Sequence, residues 1–83
     1  LRKSKNIEVG KLFITIEDLE EVGDMVPLHT HPEGEAHISI VARGGAEIND
    51  LTVEAGGIIK FVPDEPHRIK ALVPNTRVIN IRY

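Results

Sequence analysis

The chain contains no cysteine and no tryptophan, and its aromatic residues are Phe13, Phe61 and Tyr83 alone. Without cysteine there is no disulfide, no thiolate-bound zinc, no iron–sulfur cluster and no thiol nucleophile. With so few aromatics, stacking against a sugar ring is poorly supplied. There is no basic block either: ten Lys and Arg stand against thirteen Asp and Glu, for a net charge of −3. This argues against nucleic acid as a partner, because neutralising phosphates dominates that affinity. No apolar run approaches the roughly 18 residues that cross a bilayer. The opening Leu1-Arg2-Lys3-Ser4-Lys5 leads into a polar stretch, not the apolar centre of a signal peptide. The expectation is a soluble, cytoplasmic protein with no membrane partner.

What is present is β-forming. Eighty-three residues make one small domain, 1–83, and the chain carries eleven Ile and eight Val against six Leu and five Ala. β-Branched side chains suit a pleated, half-buried surface and lose rotamer freedom in helices. Seven Gly and five Pro punctuate the chain at short intervals. Period-two alternation predicts strands over 11–17, 26–31, 36–42, 58–62, 67–72 and 77–83, and a hairpin of 46–49 with 51–54 across Asn49-Asp50. Pro27 marks its strand as an edge. Residues 18–22 form a helical turn at most. Many short strands with regular turns predict an all-β sandwich or barrel.

The chemistry lies in four histidines: His29, His31, His37 and His67. On a strand, positions i and i+2 share a face about 7 Å apart, so His29 and His31 can converge on one ion. A Pro32-Glu33-Gly34 turn is expected to fold the next strand back antiparallel and return His37 to that face. His37, Ser39 and Val41 then point inward, which sends Ile38 and Ile40 to the opposite face. That face needs cover, from a second strand layer or a second subunit, and a homodimer is expected. His67 shares a face with Ile69 and Ala71, whereas Arg68 and Lys70 alternate toward water, so His67 points in. A buried neutral imidazole near three others is a metal ligand in waiting.

These residues resemble the cupin superfamily, whose fold is a small double-stranded β-helix. The first cupin motif runs Gly, five residues, His-x-His, three or four residues, Glu, six residues, Gly. Here Gly23 is followed by five residues and His29-Thr30-His31, and six residues before Gly44 stands His37 in the Glu position. Its spacer from His31 is five residues, one longer than usual. Read forward from His31 instead, a three-residue spacer puts Glu35 in that position. Counting back from Gly44 favours His37, with Glu35 as the rival ligand or a supporting carboxylate. The second motif runs Gly, five residues, Pro-x-Gly, two residues, His, three residues, Asn. Gly56 and His67 fit it, while Val62, Asp64 and Ala71 replace the usual Pro, Gly and Asn. The resemblance spans Gly23 to Ala71, 71 − 23 + 1 = 49 of 83 residues.

The resemblance implies one divalent transition metal, such as manganese, iron, nickel or zinc, held by His29, His31, His37 and His67. Four neutral imidazoles leave the ion its full charge, which favours anionic or hydroxylated ligands and acidifies bound water. Four protein ligands leave two positions on an octahedral ion. The expected activity is a metal-dependent oxygenase or oxidase, or an isomerase, acting on a small molecule. The alternatives are a non-catalytic ligand-binding module and a barrel stapled structurally by its metal. No general acid or base stands out. Glu33 and Glu35 read as a solvated turn, and Tyr83 as a fraying terminus.

Overall fold

The computed structural model describes residues 1–29, 36–62 and 65–83, of which Leu28 and His29 are described in backbone only. Nine strands follow one another: β1 (Arg2–Val9), β2 (Leu12–Leu19), β3 (Met25–His29), β4 (His37–Arg43), β5 (Gly45–Ile48), β6 (Leu51–Glu54), β7 (Ile58–Phe61), β8 (His67–Ala71) and β9 (Thr76–Arg82). They form two antiparallel sheets, a five-stranded one in the order β1-β2-β9-β4-β7 and a four-stranded one in the order β3-β8-β5-β6. Among the described residues there is no helix long and apolar enough to cross a membrane.

Alternation places the core between the sheets. Leu19, Val41, Phe61 and Val78 from the larger sheet meet Val26, Ala46, Ile48, Val53, Ile69 and Ala71 from the smaller one. All ten are buried. The Asn49-Asp50 hairpin forms as expected. Both residues have positive φ, 46° and 68°, the geometry whose twist matches two antiparallel strands. Pro27 lies on an edge strand, where its missing N–H breaks no ladder. At one end of the barrel the sheets are clipped together by Thr76, whose buried hydroxyl accepts from the Gly45 amide at 3.3 Å and shares its one proton between the Val73 carbonyl at 2.9 Å and the Gly45 carbonyl at 3.1 Å.

Three expectations need correction. Residues 18–22 hold no helical turn: β2 runs on to Leu19, carried by its pairing with both β1 and β9. β1 has no counterpart in the reading of the sequence, because Arg2, Ser4, Asn6 and Glu8 make one face polar and Lys3 and Lys5 leave only Ile7 and Val9 to mark the other. Most important, β3 and β4 are not a hairpin. β3 pairs with β8 in the smaller sheet, while β4 lies between β9 and β7 in the larger. The chain changes sheets between His29 and Ala36. The expected Pro32-Glu33-Gly34 turn lies outside the described residues.

Candidate metal centre

The change of sheet places the histidines on opposite walls. His37 opens β4 in the larger sheet, opposite Phe61 on one side and Arg82 on the other. His67 opens β8 in the smaller sheet, and the backbone register sets His29 directly across from it. Both imidazoles point into the interior, as the alternation of each strand requires. His37 is 3% exposed and His67 1%, figures that put the pair inside the core and not at its rim.

The two rings meet edge to face, with centres 4.2 Å apart and planes at 67°. Phe61 lies against both, 5.0 Å from His37 and 4.9 Å from His67. Each ring is oriented by a hydrogen bond. The Ser39 hydroxyl donates to Asn80 Oδ1 at 2.6 Å, so toward His37 Nε2, at 3.3 Å, it accepts. This order puts the His37 proton on Nε2 and the ring lone pair on Nδ1. His67 Nδ1 donates to the Glu65 carbonyl at 3.3 Å, which leaves Nε2 as the atom carrying its lone pair.

The spacing of the two ring centres matches that of two ligands on one ion. Two imidazoles bound at right angles, with metal–nitrogen bonds of about 2.1 Å, have ring centres about 4.5 Å apart, close to the separation here. Neutral imidazoles in a cysteine-free site suit zinc, copper, iron or nickel. His37 and His67 are thus brought together. His31 and its rival Glu35 lie outside the described residues, as does Glu33, and so does the side chain of His29. Among the described residues no three His, Asp or Glu side chains form a cluster.

Reading the sequence missed part of this site. Asn80 gave a signal: it alternates with Val78 on the inner face of β9 and is the only amide there. Arg82 continues that face, stacked 5.3 Å over the Phe13 ring. The cross-strand row Phe13–Arg82–His37–Phe61 therefore runs from an exposed aromatic, through a half-buried guanidinium, to the buried histidine. Tyr83 does not fray. Its backbone exchanges two hydrogen bonds with Ala36, at 2.9 and 3.0 Å, which extends the β4–β9 ladder by one pair. An open apolar hollow of about 450 Å³, lined by Gly45, Val53, Leu72 and Val73 among others, lies at the other ends of β4 and β8, away from the histidines.

The architecture is that of cupin barrel proteins. The chain superposes on KdgF from Halomonas sp. with a TM-score of 0.75 at 22% identity, covering 98% of this chain and 74% of that one. An RmlC-like cupin protein from Desulfovibrio desulfuricans gives 0.76 at 21%, covering 96% and 80%. The Cupin_2 domain of an XRE family transcriptional regulator from Enterobacter cloacae gives 0.77 at 17%, covering 98% and 93%. No protein-family profile and no curated protein matches the sequence.

Proposed function

We propose that His29, His31, His37 and His67 hold one divalent transition metal and that the protein acts through it on a small molecule. The observation that carries this reading is the meeting of His37 and His67 from opposite sheets, 4.2 Å apart, with His29 in register beside His67. Two buried imidazoles in contact are a costly way to fill a core unless they bind something. When bound, the metal supplies Lewis acidity or redox chemistry. The chain's own residues do the rest. Ser39 and the Glu65 carbonyl hold the two rings in one tautomer each, and Phe61 excludes water from their far side. Arg82 stands on the row that leads to His37, where its charge favours an anionic ligand.

The test is metal content by plasma mass spectrometry on untagged protein, beside His37→Ala, Glu35→Gln and a His29→Ala/His67→Ala double variant. About one equivalent in the wild type, retained in Glu35→Gln and lost in the other two, supports the four-histidine site. Retention in His37→Ala with loss in Glu35→Gln assigns the carboxylate instead. No metal after reconstitution sinks the reading. The Enterobacter cloacae neighbour is a domain of a transcriptional regulator, which favours a second reading: ligand binding without turnover. Oxygen- and peroxide-consumption assays on loaded protein separate the two.

A further inference from the structure

The larger sheet has one strand more than the smaller, and its extra edge leaves an open shelf. The inward-facing positions of β1, namely Arg2, Ser4, Asn6 and Glu8, are all exposed, whereas Val41 and Val78 on the same face of β4 and β9 are fully buried. The smaller sheet therefore does not reach over β1. A hollow of about 190 Å³ opens on this shelf, lined by Asn6, Glu8, Phe13, Thr15 and Arg82 among others. By register these five stand on the inner face, in the same two cross-strand rows as His37 and Ser39. The hollow is thus a lateral continuation of the histidine site, from β9 out to β1.

From β4 to β1 the row through Ser39 is polar throughout: Ser39, Asn80, Thr15 and Asn6. Two hydroxyls in it serve two amides. Ser39 donates to Asn80 Oδ1 at 2.6 Å, and Thr15 donates to Asn6 Oδ1 at 3.0 Å. Both amide oxygens are thereby used, and neither amide nitrogen meets an acceptor among the described residues. Asn6 is exposed and gives its N–H groups to water. Asn80 is only 9% exposed, and a buried amide without an acceptor is costly. Arg82 follows Asn80 on the same face. Its guanidinium lies 5.3 Å from the centre of the Phe13 ring, across β9 from His37. The buried Glu17, one row deeper, is already answered by Ser4 Oγ at 2.6 Å and Arg2 Nε at 3.7 Å. Glu8 is exposed at the far edge, two strands and about 10 Å from Arg82.

We infer that Arg82 and the Asn80 amide nitrogen form a carboxylate subsite, and that the ligand is a small hydroxylated carboxylic acid. The inference rests on the metal reading only in placing that ligand beside the metal. A guanidinium and an amide edge side by side offer N–H groups to one planar, singly charged oxyanion. A phosphate dianion would find one cation there, and Glu8 on the rim of the same hollow. The rest of the ligand crosses a floor of hydroxyl and amide groups, which favours hydroxyls over an alkyl chain because polar groups covered without partners cost free energy.

Side-chain amides give a direct readout, because the chain has four Asn and no Gln. Metal-free, nitrogen-15-labelled protein is titrated with glycerate, propionate, glycerol and inorganic phosphate in turn, following the Asn80 Nδ2 and Arg82 Nε signals by NMR. Glycerate should move both signals saturably in the tens of millimolar or below. Propionate should bind several-fold more weakly, and glycerol and phosphate more weakly still. Arg82→Gln and Asn80→Asp should each weaken glycerate by about 10- to 100-fold, the effect of losing a hydrogen bond to a charged group. The aspartate keeps the oxygen that Ser39 uses and replaces only the donor, and circular dichroism checks that each variant folds. The wild-type titration decides the matter even if a variant does not. Asn80 and Arg82 signals that stay still with glycerate overturn the inference, as does tighter binding of phosphate, or propionate or glycerol binding as well as glycerate. Failure of the metal reading leaves this metal-free titration unchanged, and failure of the titration leaves metal content unchanged.

Discussion

His37 takes its orientation from a hydroxyl two residues along its own strand. The Ser39 proton goes to Asn80 at 2.6 Å, so the hydroxyl faces His37 with a lone pair. Such supporting groups fix the tautomer of a ligating imidazole, and their loss typically weakens metal binding by about 10- to 100-fold. Ser39→Ala should therefore lower metal affinity by that factor in a chelator-competition titration while leaving the fold intact. An unchanged affinity would show that the hydroxyl only fills space. The inward aim of His37, Ser39 and His67 was legible in the sequence, because period-two alternation assigns faces without knowing which strands pair. The partners were not legible. His67 stands 38 residues after His29, and nothing local says that β3 will choose β8 over its neighbour in sequence.

At the scale of the element, the sequence showed where strands break better than where they pair. Gly44 separates β4 from β5 with φ at +80°, and a Cβ there would lie 2.5 Å from Thr76 Oγ1 and 3.0 Å from Thr76 Cα. Gly10, in the β1–β2 turn, has φ at +59° and nothing within 4 Å. Gly44→Ala therefore meets both backbone strain and a clash with the residue that clips the two sheets. Its cost should be about 2–4 kcal/mol, against about 1 kcal/mol for Gly10→Ala, read from urea midpoints. Equal costs would show that the close approach is relieved without loss. β2 and β9 are joined by another local device. Arg77 donates to both oxygens of Asp18, at 2.7 and 3.0 Å, and holds that carboxyl below its ordinary range. A depressed carboxyl pKa adds stability above the unfolded value of 3.8, and that stability fades as pH falls below it. Asp18→Asn should thus lower Tm at pH 7, by a few degrees for a pair worth on the order of 1 kcal/mol, and the gap from wild type should narrow between pH 4 and pH 2. A gap that is constant with pH would mean that the charge contributes nothing.

For the whole molecule, the histidines and Thr76 stand at opposite ends of one core and tie its two sheets in different ways. Thr76 does so through its hydroxyl, which accepts from the Gly45 amide and shares its proton between the Val73 and Gly45 carbonyls. The histidines do so through the contact of their rings and, on the proposed reading, through the ion they share. A bound ion that the unfolded chain does not hold stabilises by about 2.7 kcal/mol at one hundred times its dissociation constant. In a domain of this size, where 1 kcal/mol moves Tm by about 4–8 °C, the shift should exceed 10 °C. Ten buried apolar side chains make up the core, and of these Phe61 packs against the two histidines, so the chelated protein should keep its core and remain folded with a lower Tm. This distinguishes a working site from a staple, in which binding energy and folding energy are the same quantity and chelation leaves a disordered chain. The measurement is a thermal melt at fixed protein concentration, since any self-association would also shift Tm. It is run with added chelator and with a series of manganese, iron, nickel and zinc concentrations. A shift that grows with the logarithm of one metal's concentration, and vanishes in the His29→Ala/His67→Ala variant, is the expected result. Outright unfolding by chelator would make the ion structural, and a melt indifferent to every metal would leave two buried histidines that serve the core alone.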